Sequence, residues 1–442
     1  MKYLTAVLLI LTAVVFPFIC RAEELEFSAL SGAEIETLGN GLTLVTKNAG
    51  LPGAFTAQIW VRAGSFHEVK ELGGVSSLLS MLLWEDRNNT GILEFREAVS
   101  GSRGRAEANL SKEFMYFSLT APKDSFSSLF PRMMRLIFKP EIEDTNLQVM
   151  KRLSAEKTGV MEKFQRYLLN KKLYGLAYGD YGLSNGIYGD SASISAVPVE
   201  SVTGFHEKYF TAGNSAVIIT GDFDRDAVRD SVRASESALR IGGEDFPPVS
   251  GYLKAGYPVS MLSKENFQRS VIASAYYAPD IGNPRDVMIC DLFLYLLGIE
   301  GAPFRKLVLE EKKLADEMLA EYQTRRRGDI FRFEFVTSKK NIKTLQAELA
   351  SAFASIKAEG FTDTEIAAAK KRLYDAYIFD NINPEKLAYT AGYYWALGVP
   401  DFERNYIRGI RALEKNDIDD AFRRYFDMSN NVTLILVGDN EK

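Results

Sequence analysis

The sequence predicts an α+β protein made of two similar halves, each a mainly antiparallel sheet packed with helices. One observation is a repeated segment, because Tyr209-Phe210 and Tyr425-Phe426 each precede a β-rich run that ends in Gly-Asp. Another is that strand-like and helix-like segments recur in the same order in both halves. The last is a stretch rich in glycine and proline at 240–256, which is typical of a linker.

These observations divide the chain into four parts. They are a signal peptide at 1–22, an amino-terminal domain at 23–239, the linker at 240–256 and a carboxy-terminal domain at 257–442. Two domains of about 200 residues each agree with the usual size of a folding unit.

The elements of the first half follow from the period of its apolar residues. Alternation predicts strands at 41–46, 56–62, 107–110 and 114–119. Helical spacing predicts helices at 73–84, 92–99, 125–138, 144–169 and 199–210. The last of these helices leads into the repeated segment.

The second half repeats this order after the linker. Strands are predicted at 271–277 and 329–336, and helices at 285–297, 341–359 and 362–380. In the second of these strands Phe331, Phe333 and Phe335 alternate with Ile330, Arg332 and Glu334.

The first 22 residues differ from the rest. Met1-Lys2 precedes a long apolar run, and Ala22 precedes two glutamates. This pattern predicts a secretory signal peptide cleaved after Ala22, and hence a periplasmic or secreted protein. Two alternatives remain open: a lipoprotein site at Cys20, and an uncleaved membrane anchor, since the run approaches the length of a spanning helix.

Composition sets further bounds. With 46% apolar and 25% charged residues, the chain is ordinary globular material. A net charge of −5 argues against a nucleic-acid partner, which needs a clustered basic face. After removal of the leader only Cys290 remains, so no intramolecular disulfide is expected, and its apolar surroundings predict a small core residue.

The chain has only two histidines, His67 and His206. A zinc site with two histidine ligands must use both or neither. We expect His206 to lie on the surface of a helix. His67 stands in a loop before the first apolar helix, where a solvent-facing position is the expectation and a functional role is the alternative.

The order of elements resembles the insulinase/pitrilysin-type zinc metallopeptidases, a family that includes the mitochondrial processing peptidase. The resemblance covers nearly all of the mature chain. It rests on the segments 63–65, 73–75, 214–222, 304–315 and 431–439. It implies two homologous α/β-roll domains in a processing-peptidase-like architecture.

Active members of that family carry H-x-x-E-H on the first long helix, with two zinc-binding histidines and a glutamate base. Here the matching positions hold Ser77, Ser80 and Met81. The distal zinc-binding glutamate of the family matches Glu156, which is either a relic of the site or a solvated helix residue. Serine and methionine are poor zinc ligands, so we expect zinc to be absent from this chain.

The same helix keeps its apolar face. Residues at helical spacing remain hydrophobic, namely Val75, Leu78, Leu79, Leu82 and Leu83. This pattern indicates a protein that has lost the catalytic groups and kept the fold.

In some bacterial relatives a chain without the motif pairs with an active chain and contributes an arginine and a tyrosine. The comparable stretch here holds Tyr322, Arg325, Arg326 and Arg327, which are candidates for binding a substrate carbonyl. The alternative is a basic turn before the strand at 329–336.

The resemblance therefore implies a catalytically inactive homologue that pairs with an active zinc peptidase, or with itself, and helps to bind or enclose a polypeptide. One alternative is an independent binding or scaffold protein of the cell envelope. Another is a zinc peptidase with a non-standard metal site formed by His67 and Glu156.

Overall fold

The structure, a computed structural model, describes residues 28–50, 52–179, 182–236, 239–243, 258–428 and 431–439. The predicted signal peptide, with Cys20 and Ala22, lies outside the described residues, as does most of the predicted linker. The domain boundaries proposed from the sequence therefore stay predictions.

The strands of the first half are β1 Glu34–Thr37, β2 Thr43–Asn48, β3 Ala54–Val61, β4 Arg105–Leu110, β5 Met115–Pro122 and β6 Ser215–Gly221. Its helices are α1 Val75–Trp84, α2 Thr90–Gly101, α3 Phe126–Phe138, α4 Asp144–Met161, α5 Gln165–Tyr178, α6 Ser191–Ala196, α7 Val199–Tyr209 and α8 Arg225–Ser235. The predicted strands and helices of this half are present, with one exception given below.

The strands of the second half are β7 Val259–Glu265, β8 Ser270–Tyr277, β9 Glu317–Glu321, β10 Ile330–Thr337 and β11 Asn431–Gly438. Its helices are α9 Pro284–Phe293, α10 Pro303–Lys306, α11 Ile342–Glu359, α12 Asp363–Ile382, α13 Pro384–Ala396, α14 Phe402–Ala412 and α15 Lys415–Tyr425. Cys290 is buried on α9, as predicted.

The two sheets have matching strand orders. The first runs β1-β2-β6-β3-β5-β4 and the second β7-β11-β8-β10-β9. In the first sheet β2 pairs in parallel with β6, the last strand of its half, and in the second sheet β7 pairs in parallel with β11. The remaining pairs are antiparallel. Apart from β1, every strand of the first sheet has a counterpart in the second, which confirms the predicted duplication and the α+β class.

The two halves exchange a helix. Helix α5 of the first half packs on β8 and β11 of the second sheet, and α13 of the second half packs on β3 and β6 of the first. One face of each sheet is therefore covered by a helix from the other half. The apolar clusters at these two contacts are continuous across the halves, so the chain folds as two interlocked units.

The exchange explains the one helix that the sequence predicted wrongly. The pattern at 144–169 predicts a single long helix, whereas α4 ends at Met161 and α5 begins at Gln165. Phe164 has extended backbone angles at the break, with φ −87° and ψ 124°. The chain turns here because α5 has to leave the first half to reach the second sheet.

Candidate functional site

Helix α1 contains the three residues that the resemblance matches to the zinc-binding motif, and its start is fixed by a buried carboxylate. The helix begins after Gly74, whose φ of 96° is left-handed and suits glycine. The Glu68 carboxylate accepts the backbone N–H groups of Gly74 at 2.8 Å and Ser76 at 2.9 Å, and also the Ser76 hydroxyl. A carboxylate at a helix N-terminus is favourable because it satisfies unpaired donors and complements the helix dipole. Burial nevertheless raises the pKa of Glu68 to about 7.

The apolar face of α1 is buried, as the spacing predicted. Its members are Val75, Leu78, Leu79, Leu82 and Leu83. They belong to the main hydrophobic cluster of the first half. The helix therefore retains its packing even though its polar positions have changed.

The three motif positions lie on this packed helix. Ser77 and Met81 are buried, and Ser80 is half-buried. Helix α4 packs against α1 and turns Ser154 and Thr158 inward, whereas Glu156 is exposed. Whether Glu156 is a relic of a metal site stays a prediction.

The donor atoms present do not suit zinc. Hydroxyl and thioether groups bind this cation poorly compared with imidazole, thiolate and carboxylate. Within the described ranges, no group of three or more His, Cys, Asp or Glu side chains is placed to hold a metal ion. The residues on α1 therefore do not fit the metal site that the family implies.

His206 is buried, so the prediction of a surface position is wrong. Its side chain is 2% exposed, Nε2 lies 2.8 Å from the Ile137 carbonyl oxygen, and the ring stacks on Phe210. Burial lowers the pKa of His206 to about 4. The signal was available in the sequence, because Val202, Phe205, His206 and Tyr209 share one helix face.

His67 is half-buried rather than solvent-facing. It ends a short 3₁₀ turn at 65–67, where Nδ1 accepts the Gly64 N–H at 3.1 Å. Its ring also meets Tyr209 edge-on. These contacts give His67 a structural role in the approach to α1.

The predicted substrate-binding residues lie where the halves meet. Tyr322 is buried and donates to the Pro279 carbonyl oxygen at 3.2 Å. The Arg326 N–H donates to Glu113 of the first half at 3.3 Å, and the guanidinium of Arg327 lies over Phe66. A role for this stretch in binding substrate stays a prediction, and the contacts of Arg326 and Arg327 join the two halves.

Arg325 enters a buried charged cluster that the sequence did not predict. Its Nε donates to Asp329, and Tyr174 of α5 donates to the same carboxylate at 2.8 Å. Nearby, the Lys112 ammonium donates to the carbonyl oxygens of Leu183 and Asn185 at 2.8 and 2.7 Å. Burial, together with the charge of Arg325, lowers the pKa of Lys112 to about 7.

Two further members of this cluster come from strand β10. Arg332 and Glu334 alternate with three phenylalanines, which by itself places them on a solvent-facing side. Both are nevertheless buried, because α5 covers that face of the sheet. The sequence contained one indication of this buried cluster, which is that charged residues alternate with apolar ones along the strand.

Comparison with known proteins identifies the family. Residues 45–191 match the family described as insulinase (peptidase family M16), and residues 196–373 match the peptidase M16 inactive domain. An uncharacterized zinc protease of Rickettsia felis is 22% identical over 417 residues, covering 92% of this chain and 98% of that protein. An uncharacterized zinc protease of Bacillus subtilis is 18% identical over 341 residues, covering 76% of this chain and 81% of that protein.

Solved structures share the fold. The peptidase M16 inactive domain from Pseudomonas fluorescens superposes with a TM-score of 0.84 at 17% identity, covering 93% of this chain and 98% of that one.

Shorter sequence matches include subunit alpha-1 of the mitochondrial processing peptidase of Dictyostelium discoideum, 23% identical over 43% of this chain and 29% of that protein. Subunit 1 of the cytochrome b-c1 complex of Saccharomyces cerevisiae is 22% identical over a stretch that covers 48% of this chain and 45% of that protein. With both halves matched and the architecture shared, the chain belongs to the insulinase (M16) peptidase family.

Proposed function

We propose that this chain is a non-catalytic subunit that pairs with an active zinc peptidase of the same family and helps to bind a polypeptide. The observation that carries the proposal is helix α1, which has a packed apolar face and contains no histidine or glutamate. The resemblance matches Ser77, Ser80 and Met81 to the metal ligands and the base. A helix maintained without its catalytic groups is expected where the fold itself is the useful part.

The edge of the first sheet offers a place for the polypeptide. Strand β4 ends the sheet, pairs with β5 on one side, and packs against α1. Among the described residues it has no strand on its other side. An extended peptide that adds to such an edge gains main-chain hydrogen bonds with little demand on its sequence.

Pairing is supported by the kinds of proteins that the chain resembles. Relatives of the family include named subunits of the mitochondrial processing peptidase and of the cytochrome b-c1 complex. The partner we propose is a chain that carries H-x-x-E-H, and a polypeptide is the proposed substrate of the pair.

Reconstitution tests the proposal. The chain would be purified alone, incubated with an unstructured polypeptide such as casein, and then mixed with a co-purifying or co-encoded H-x-x-E-H homologue. We expect no hydrolysis by the chain alone. The mixture should hydrolyse the polypeptide at least tenfold faster than the H-x-x-E-H homologue alone, which corresponds to about 1.4 kcal/mol in the activation barrier. A stable homodimer that binds no such homologue would instead favour an independent scaffold protein.

Metal analysis separates the remaining alternative. After chelation and reloading with zinc, we expect less than one tightly bound zinc per chain, because α1 lacks imidazole and carboxylate donors. One zinc per chain, lost in His67→Ala or Glu156→Gln and accompanied by chelator-sensitive hydrolysis, would establish a non-standard peptidase and contradict the proposal.

We also propose that the protein works outside the cytoplasm, in the periplasm or secreted. This rests on the leader-like residues 1–22 alone. Mass spectrometry of the chain from its native cell tests it: a mature N-terminus at Glu23 is expected. A lipid-modified Cys20 would indicate a lipoprotein, and an intact Met1 in the membrane fraction a membrane anchor.

A further inference from the structure

A cavity of about 310 Å³ lies between the two halves, away from the motif positions on α1. From the first half it is bordered by α5 and by Lys112, in the turn between β4 and β5. From the second half it is bordered by Gln323, Arg325 and Arg332. Tyr167 and Tyr188 are half-buried at its rim, whereas Lys112 and Arg325 are buried.

The wall of this cavity contains an arginine with an unused donor. Arg325 is 5% exposed, its Nε donates to Asp329, and its Nη2 donates to Gln323 Oε1 at 2.7 Å. Its Nη1 is buried and has no hydrogen-bond partner among the described residues. A buried charged donor without an acceptor is costly, so this atom points to an acceptor that the chain does not supply.

The charges that line the cavity are mainly positive. Lys112, Lys171, Arg325 and Arg332 are basic, with Arg325 paired to Asp329 and Arg332 to Glu334, and Glu321 is the one acidic residue among the lining side chains described. Lys112 is 7% exposed, and its described hydrogen bonds go to carbonyl oxygens rather than to a carboxylate. Two buried basic side chains in one wall, one of them with an N–H that has no partner among the described residues, suit an anionic group.

An unused acceptor is present as well. Asn170 borders the cavity from α5, and its Oδ1 is buried without a partner among the described residues. The occupant therefore needs an N–H donor in addition to its negative charge. A carboxylate beside an amino or amide N–H has both groups.

The size of the cavity limits the occupant. Ligand pockets range from about 300 to 1,000 Å³, and a volume of about 310 Å³ lies at the lower limit. A free amino acid or the last one or two residues of a peptide fit this volume. The rings of Tyr167, Tyr174 and Tyr188 offer apolar surface for its side chain.

We propose that this cavity binds the carboxylate end of an amino acid or peptide, with Arg325 and Lys112 holding the carboxylate and Asn170 accepting the adjacent N–H. The site lies within a single chain, so it does not depend on the proposed partner or on the fate of the zinc motif. The ligand is a carboxylate with an adjacent N–H, and either a free amino acid or a peptide C-terminus can supply it.

Calorimetric titration of the purified chain distinguishes these sources. The probes are L-tyrosine, the tripeptide Ala-Ala-Tyr with a free carboxylate, and the same tripeptide amidated at its C-terminus. Binding of L-tyrosine, of the free-acid tripeptide or of both, at least about tenfold tighter than the amide, supports the site and identifies its source. Equal binding of acid and amide would overturn it, as would no binding of L-tyrosine up to its solubility limit together with no binding of either tripeptide up to about 10 mM.

Two variants locate the binding. Gln323→Glu places a carboxylate beside Arg325 with almost unchanged shape, so it should lower affinity about tenfold while leaving the melting temperature at or above that of the wild type. Lys112→Met removes the ammonium and keeps the apolar stem, with a similar expected loss.

The matched control is Lys172→Met on α5, the helix that borders the cavity. Lys172 donates to Ser263 at 3.0 Å and does not border the cavity, so affinity should stay unchanged. If Gln323→Glu and Lys112→Met both fold and bind the probe as tightly as the wild type, the assignment of the site is wrong. A loss equal in all three variants would also contradict it.

Discussion

Helices α5 and α13 hold equivalent places in the two halves, yet they contact the opposite sheet in different ways. Helix α13 makes a mainly apolar contact, in which Leu387, Ala391 and Trp395 join the cluster around Trp60 of the first sheet. Gly392 lies so close to the Trp60 indole that a side-chain carbon there would be 2.0 Å from it. This contact leaves no room for an added methyl group.

Helix α5 makes an apolar contact flanked by polar ones. Leu169 and Leu173 pack on the second sheet. Along the same helix Gln165 donates to the Arg269 carbonyl oxygen at 2.7 Å, and Tyr174 donates to Asp329 at 2.8 Å. The proposed carboxylate site borders this helix.

The difference shows how a duplicated fold diversifies. Both contacts supply apolar burial, which stabilises the pairing of the halves in proportion to the area removed from water. The α13 contact contains one buried charge, Arg62, which donates to the Trp395 carbonyl oxygen at 2.6 Å. The α5 contact borders several, among them Asp329 and Glu334, and such charges are retained at a cost unless they are paired or bind something. The α13 contact therefore serves mainly stability, and the α5 contact is the better place for a ligand.

The largest expected effects come from removing apolar side chains at the two contacts. Leu173→Ala on α5 and Leu387→Ala on α13 each empty a buried site, at an expected cost of about 3 kcal/mol in the free energy of unfolding. Denaturant unfolding followed by tryptophan fluorescence and circular dichroism measures this. Because each helix belongs to one half and packs on the other, both variants should lower one shared transition. Two separate transitions would show that the exchange does not couple the halves.

A smaller effect distinguishes close packing on α13 from open space on α5. Gly392→Ala forces a methyl group into the Trp60 ring, which is expected to destabilise the protein by about 2 kcal/mol. Gly175→Ala on α5 meets nothing within 4 Å and should stabilise it by about 0.5 kcal/mol, because alanine favours the helix. Thermal unfolding of the two variants is the measurement, and effects of the same sign would contradict the contrast.

The effect that is small for a change of one pH unit concerns a buried carboxylate near the polar side. Glu68 lies near Lys112, and burial raises its pKa from the ordinary 4.5 to about 7. The folded state therefore binds more protons than the unfolded state between these values. Stability contributed by protonated Glu68 is complete below pH 4.5 and is lost as the pH rises through about 7, at about 1 kcal/mol per pH unit.

Glu68→Gln should flatten this decline in unfolding experiments across that pH window. Glu71→Gln, at an exposed neighbouring position, is the control and should leave the slope of the wild type unchanged. An identical slope in Glu68→Gln and the wild type would show that another group titrates.

Much of the fold was predictable because it depends on local patterns. Alternation placed β3, β5, β8 and β10, and helical spacing placed α1, α3, α11 and α12. The break between α4 and α5 was not predictable, since Met161-Glu162-Lys163-Phe164 contains neither proline nor glycine. That break follows from the position of a sheet more than a hundred residues away in the chain.

The candidate sites divide in the same way. The replacements at Ser77, Ser80 and Met81 are visible in the sequence, because a motif on one helix is a local feature. The cavity at Arg325 is not, because its walls come from a turn, a helix and a loop that are distant in sequence. The burial of His206 lies between these cases, because the apolar residues on its helix face are visible in the sequence, whereas its contact with the Ile137 carbonyl oxygen is not.

The sequence by itself determined that the chain is duplicated, that its first long helix lacks the zinc-binding side chains, and that the helix still has an apolar face. These are properties of residue type and spacing. Only the tertiary structure decided that each half covers the other's sheet and that Arg332, Glu334 and Lys112 are buried. Burial depends on which elements meet in space, and residue spacing along one segment does not contain that information.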